Sequence, residues 1–276
     1  MIVVKLKGGL GNQMFQYAFG YSLSRKLNKK LILDITHFNK ASFDTKRNFE
    51  LGTYPIEFDG LISTKKIFSR ILYKISAIKI TEKNFSIDNF QHYKSSQKII
   101  VDGYWQSEDY FKEYSESIRN FFGGLISSDI SYIRFHDEIR KSISASIHVR
   151  RGDYVTNIKA SLVHEVCDLD YFRNAISIVE KNLPGTTFFV FTDDVEWVKN
   201  NFKGSKFRIV SEGNLSHFEE LSLMVRCQNN IISNSSFSWW AAWLNSDENK
   251  LVITPKKWFK DRNYPVDLIP PFWLKI

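Results

Sequence analysis

The sequence predicts an α/β protein made of two successive sets of parallel strand–helix units. Three observations carry the prediction. A β-branched opening run, a glycine turn, a stretch with helical apolar spacing and a second aliphatic run follow one another over residues 1–34, the order of a parallel βαβ unit. A second alternation of short aliphatic runs and helical patterns begins near Ser142 and continues to Ile253. The chain has 276 residues, 43% hydrophobic and 25% charged, which suits two modest globular domains.

In the first set, Met1 to Leu6 reads as a buried strand and Gly8-Gly9-Leu10-Gly11-Asn12 as a turn. Gln13 to Leu27 reads as a helix carrying Met14, Phe15, Ala18, Leu23 and Leu27, and Leu31 to Asp34 as the second strand. Leu61 to Ile80 places Ile67, Phe68, Ile71, Leu72, Ile75 and Ile78 at helical spacing, with Lys65, Lys66, Arg70, Lys74 and Lys79 between them. Its ordinary reading is a helix packed on the core with a solvated basic face; the alternative is contact with a membrane surface. Ile99-Ile100-Val101 is a strand leading into Gly103-Tyr104-Trp105-Gln106.

In the second set, Ile143 to Val149, Thr187 to Phe191, Phe207 to Val210, Asn230 to Ile232 and Leu251 to Ile253 read as strands. Helices are expected over Tyr171 to Lys181, from Val195, over Glu219 to Cys227 and over Phe237 to Asn245, and a proline-punctuated tail closes the chain. No repeat or low-complexity linker marks a boundary. It is sought within residues 123–142 and placed at 130/131, giving domains 1–130 and 131–276.

Lys plus Arg number 38 against 30 Asp plus Glu, a net charge of +8 that favours an anionic partner. The residue sets of the common nucleic-acid modules are absent, so a phosphorylated ligand or acidic lipid is preferred over nucleic acid. Two cysteines, Cys167 and Cys227, make neither a disulfide scaffold nor a zinc spacing and read as buried reduced thiols. The N-terminus lacks the basic and apolar regions of a signal peptide, and no apolar window is long enough to span a membrane. The expectation is a cytoplasmic enzyme, at most peripheral at a membrane surface.

Four segments follow expected strands, where α/β sheets collect ligands. Gly8 to Gln13 is either a tight turn needing φ > 0 or a ligand cradle at a helix start; it lacks the dinucleotide and P-loop glycine spacings. His148-Val149-Arg150-Arg151-Gly152-Asp153 puts two planar, permanently charged forks at a strand end, fit for phosphate or for a surface Arg–Asp pair. Strand alternation turns only one of the two arginines, assigned as Arg150, to a ligand. Ser233-Asn234-Ser235-Ser236 exceeds the need of a single N-cap and offers an anion cradle at a helix start. Thr192-Asp193-Asp194 fits a helix cap, a metal-binding pair, or a nucleotide or acceptor contact.

Together, Gly8 to Ala18, His148 to Asp153 and Ile232 to Leu244 resemble the bacterial and animal α-1,2-fucosyltransferase family, glycosyltransferase family 11. Gly103 to Glu108 is similar to a segment frequent in its bacterial members. The most specific string is Asn234 to Leu244; the first two motifs also occur more loosely in α-1,6- and protein O-fucosyltransferases. The resemblance implies an inverting enzyme with no cofactor and no metal, built from two Rossmann-like domains facing a cleft (GT-B type). The first domain would be the acceptor side and the second would hold GDP-β-L-fucose.

With the readings above, the donor set is Gly9, Gly11, Asn12, Gln13, His148, Arg150, Asp194, Asn234, Ser235, Ser236 and Phe237, and the acceptor set Trp105, Gln106 and Glu108. The resemblance implies His148 and Arg150 on GDP, Ser235 and Ser236 on the β-phosphate, and Asn12 reaching toward the donor. Arg150, Asp153 and Asn12 form the catalytic group, with Asp153 the first candidate base and Glu108 the second. The implied product is an α-1,2 linkage to galactose on a glycan or lipid-linked oligosaccharide of bacterial surface polysaccharide. One departure stands out: relatives often carry a Lys-His pair where this chain has Gln228-Asn229, which removes positive charge ahead of the last motif. A Rossmann-fold epimerase or reductase is disfavoured by the missing glycine fingerprint, and a fucosyltransferase of other linkage (α-1,3 or α-1,6) and a non-catalytic glycan- or lipid-binding module are the remaining alternatives.

Overall fold

The computed structural model describes residues 1–39, 47–63, 77–86, 90–152, 155, 157, 162, 165–260 and 267–276. The chain divides into two compact units, Met1–Phe121 and Phe122–Ile276.

The first unit holds five parallel strands: β1 (Ile2–Lys5), β2 (Leu31–Asp34), β3 (Gly60–Ile62), β4 (Ala77–Ile80) and β5 (Lys98–Val101). Their order is β3-β2-β1-β5-β4. The chain winds outward from β1 through β2 to β3, then returns to the other side of β1, so the direction reverses between β1 and β5. Helix α1 (Leu10–Leu27) starts inside the glycine turn, ahead of the expected start at Gln13. It lies close on β1 because Gly20 faces the strand: a Cβ there would stand 2.2 Å from Val4 Cγ2. Asn28, left-handed at φ 50°, ends the helix. Two shorter helices follow, α2 (Phe90–Ser95) and α3 (Ser115–Phe122).

The helical reading of Leu61 to Ile80 is corrected at both ends. Leu61 and Ile62 lie in β3, paired with β2, and Ala77–Ile80 form β4, paired with β5. Aliphatic residues at helical spacing also suit strands, and here the parallel ladder decides. Lys65, Lys66, Arg70 and Lys74 lie outside the described residues.

The second unit holds β6 (Ser144–Val149), β7 (Thr187–Thr192), β8 (Phe207–Ile209), β9 (Asn229–Ile231), β10 (Val252–Thr254) and β11 (Leu274–Lys275). All pair in parallel in the order β11-β10-β9-β6-β7-β8, the doubly wound dinucleotide-fold order counted from β6. The winding reverses between β6 and β9. Helices α4 (Ile130–Arg140), α5 (Leu169–Asn182), α6 (Val195–Asn201), α7 (His217–Arg226) and α8 (Ser236–Leu244) accompany them.

Strand β6 is buried along its whole length. Alternation gives it two unlike faces. Ala145, Ile147 and Val149 join the apolar core with Phe172, Ala175 and Val179 of α5. Ser144, Ser146 and His148 alternate with them, and Ser146 accepts a hydrogen bond from Asn230 Nδ2 at 2.8 Å. Asn230 Nδ2 also donates to the Met224 carbonyl of α7, and Asn245, just past α8, donates to Asn230 Oδ1 at 2.8 Å. Trp105, Trp239 and Trp240 are fully buried. Cys167 and Cys227 are buried free thiols. Among the described residues, no helix is long and apolar enough to cross a membrane.

Candidate active site

Three strand ends of the second unit, those of β9, β6 and β7, stand side by side, and three of the singled-out segments follow them. Across the reversal between β6 and β9, His148 Nδ1 meets Ser233 Oγ at 3.0 Å. Across β6 and β7, Arg150 Nη1 meets Asp193 Oδ2 at 2.8 Å, and Arg151 Nε donates to Asp194 Oδ2 at 3.0 Å. The two arginines therefore have different partners, as successive residues leaving a strand should. Arg151 also lies over the Trp197 ring, 4.4 Å from its centroid.

Asp193 does more than pair with Arg150. Its Oδ1 accepts the backbone N–H groups of Arg151 at 2.8 Å and Gly152 at 3.0 Å. Gly152 permits this approach: a Cβ there would sit 2.6 Å from Asp193 Oδ2. Asp194 caps α6 by accepting from Trp197 N at 3.1 Å, so its two oxygens serve the helix and Arg151.

Ser235 caps α8, accepting from Phe237 N at 3.3 Å, and Ser238 Oγ donates back to the carbonyls of Ser233 and Ser235. Ser236 and Phe237 open the helix half-buried, and the Phe237 ring lies 5.6 Å from that of His148. The start of a helix leaves N–H groups without intrahelical partners, which favours negative charge there. Asn234 is buried, and its Nδ2 donates to the carbonyls of Glu165 at 2.6 Å and Trp258 at 3.0 Å. Asp153 lies outside the described residues.

Burial pushes the His148 imidazole down to about 4, against the pull of Asp193 and with help from the Arg150 charge. It is neutral at ordinary pH and can share a single proton with Ser233 or with a ligand. Glu220, on α7, belongs to none of the four segments after the strands. Burial pushes its carboxyl up to about 7, a hydrogen bond with Ser211 opposes this, and Asp193 adds to it. The signal was present in Ser216 to Glu220: Glu219 completes a capping box with Ser216, which leaves the adjacent acid without a capping task.

In the first unit, the reversal between β1 and β5 also carries a polar pair, Gln106 Nε2 donating to Asn12 Oδ1 at 2.7 Å. Gly8, at φ +80°, makes the turn before it, and a Cβ there would meet Asn12 Nδ2 at 2.7 Å. The glycine answers to both the turn and the amide. Gly9 precedes α1 as its cap residue and Gly11 is buried in its first turn. Gln13 is fully buried; it donates to the carbonyls of Gly8 and Asn48 and accepts from Glu50 N at 2.9 Å. Trp105 is buried as well. Its ring is 0% exposed and stacks on Phe19 at 4.1 Å, so it offers no face to a sugar. Glu108 opens a short turn capped by Ser107 and lies in the field of Arg119.

The Lys-His departure falls away from these strand ends. Gln228 and Asn229 lie at the amino end of β9, where Gln228 Oε1 accepts from Ser144 N and Asn229 Oδ1 from Leu251 N. Among the described residues no three His, Cys, Asp or Glu side chains gather as a metal site.

Two parallel α/β units, the second with its charged groups at the strand ends where the winding reverses, define a GT-B type glycosyltransferase fold. The chain belongs to glycosyl transferase family 11, whose description matches residues 1–266. It is 33% identical over its full length to an Escherichia coli alpha-1,2-colitosyltransferase, covering 99% of that protein. It is 35% identical over 94% of its length to the Escherichia coli O-antigen biosynthesis glycosyltransferase WbnK, covering 95% of it. Among solved structures, an Arabidopsis thaliana FUT1 mutant in complex with GDP superposes with a TM-score of 0.51 at 11% identity, over 91% of this chain and 69% of that one.

Proposed function

We propose that the chain transfers L-fucose from GDP-β-L-fucose to a galactose hydroxyl in α-1,2 linkage, with inversion and without a metal. The observation that carries this reading is Arg150, paired with Asp193 at the end of β6, the strand whose His148 meets Ser233 ahead of the capped start of α8. Departing GDP builds negative charge on its β-phosphate. A fixed guanidinium, the Ser235 and Ser236 hydroxyls and the first N–H groups of α8 would stabilise that charge as it forms. His148, neutral and buried, would present a ring nitrogen to the nucleotide. A sugar hydroxyl then attacks the opposite face of the fucose through an oxocarbenium-like transition state, with Asp153 the first candidate to accept its proton and Glu108 the second.

A second reading concerns the donor sugar. Colitose is L-fucose without its 3-hydroxyl, and an alpha-1,2-colitosyltransferase is among the similar proteins. GDP-colitose is therefore the alternative donor, and the similarity to an O-antigen glycosyltransferase supports a surface-polysaccharide acceptor. A cytoplasmic location belongs to the same proposal.

The test is to incubate the protein with labelled GDP-fucose or GDP-colitose and a panel of β-galactosides, with and without EDTA. Fucosylated product in EDTA, with linkage analysis giving α-1,2, is the expected result. Transfer of colitose alone moves the assignment to the second donor. Transfer of neither sugar to any acceptor refutes the reading.

A further inference from the structure

The geometry points to Asp193 as the positioning residue of this site: a carboxylate clamp that sets the direction of Arg150 for the transition state. This rests on the donor-site reading above. A guanidinium carries five N–H donors in a rigid fork, so holding one end directs the whole fork. Asp193 holds that end through Oδ2, at 2.8 Å from Arg150 Nη1. Through Oδ1 it grips the backbone N–H groups of the next two residues, at 2.8 and 3.0 Å. One side chain on β7's end thereby ties the arginine's head to its own loop. Gly152 is the other half of the device, since any Cβ at that position would press on Asp193 Oδ2.

The clamp has an electrostatic cost that makes it testable. Asp193 is an anion placed next to the cation that receives an anionic ligand, and it weakens ground-state attraction for GDP. It is useful only if direction matters more than raw charge, which is the case where charge develops along one bond. A side chain that merely kept the loop folded would raise binding and turnover together. A clamp separates them.

Asp193→Asn is the first variant. Its amide keeps an acceptor for either the backbone N–H groups or Arg150, and turns N–H donors on the other. Turnover is expected to fall at least about tenfold, while calorimetric titration with GDP gives an affinity equal to or tighter than that of the unaltered protein. Gly152→Ala, which displaces the carboxylate from the opposite side, should reproduce both effects, and the double variant should be no slower than the worse single one. A loss of GDP affinity matching the loss of turnover overturns the proposal, as does turnover reduced by less than about tenfold. If the unaltered protein transfers neither sugar, the functional reading has failed, while GDP titration of the two variants still decides the clamp: weakened binding in both overturns it.

Discussion

The two units place their chemistry at equivalent points and fill those points differently. Each sheet reverses its winding beside its first strand, and a polar pair lies across each reversal: Asn12 with Gln106 in the first unit, His148 with Ser233 in the second. In the first unit the pair is two neutral amides backed by the stacked rings of Trp105 and Phe19. The nearby cations, Lys5, Lys7 and Lys79, converge on Asp102. Burial opposes its ionisation, but hydrogen bonds from these three lysines hold that carboxyl well below its usual range. In the second unit the pair is flanked by two Arg–Asp contacts and a helix start. The same topology thus yields a neutral hydrogen-bonding station and a charged one. The charged one suits a pyrophosphate and the neutral one suits hydroxyl groups.

If that contrast is functional, the largest loss comes from the charged station. Arg150→Ala should lower turnover about a thousandfold, on the order of 4 kcal/mol of barrier, with the fold retained. Retention of turnover within about tenfold would remove Arg150 from the chemistry.

Acid should separate the two stations next. His148 has its folded value depressed to about 4 from an ordinary 6.5. The unfolded chain therefore takes up a proton first as pH falls, and stability is lost between about 6.5 and 4, not gained. The full window corresponds to on the order of 3 kcal/mol for this one group. Chemical denaturation of the protein and of His148→Gln across that range gives the difference directly. Parallel curves for the two would mean that the imidazole is not held neutral by its burial.

The amide station should respond more weakly. Asn12→Ala is expected to slow turnover about thirtyfold and Gln106→Ala about fivefold, roughly 2 and 1 kcal/mol, because the second acts only by holding the first. Equal effects from the two, or a larger one from Gln106, would reverse that order.

How far this was legible in the sequence differs between the units for physical reasons. Strands β6, β7 and β9 are central and buried, and each runs into a segment of distinctive turn chemistry, so they read directly, and the segments after them lie side by side. Strands β3 and β4 do not read that way. They are three and four residues long, and their aliphatic residues also fit a helix. Helix α4 does not stand out in the sequence although Asp129 caps it by accepting from Ser131 N and Tyr132 N, because a cap is only a local signal. The site shows the same limit. Arg150 was visible as a charge at a strand end, whereas Asp193 gains its role only once β6 and β7 lie side by side. Gln13, Asn234 and Trp105 sit in telling motifs, yet their side chains turn into the structure, which no linear pattern reports.

The smallest effect tests where the charged station ends. Gln228 is exposed at the amino end of β9, while Ser235 and Ser236 lie beyond the carboxyl end of that strand. A strand rises about 3.3 Å per residue, so a charge at 228 stands more than a Debye length, about 8 Å in physiological salt, from the start of α8. Restoring the basic residue with Gln228→Lys should therefore leave the KM for the GDP-sugar and the turnover within about twofold. Screening, rather than any compensating contact, is the reason, so the same variant should begin to differ as ionic strength is lowered. A several-fold drop in donor KM at physiological salt would mean that the anion site extends through the sheet toward its amino edge. The contrast between a confined charged station and a neutral one would then have to be redrawn.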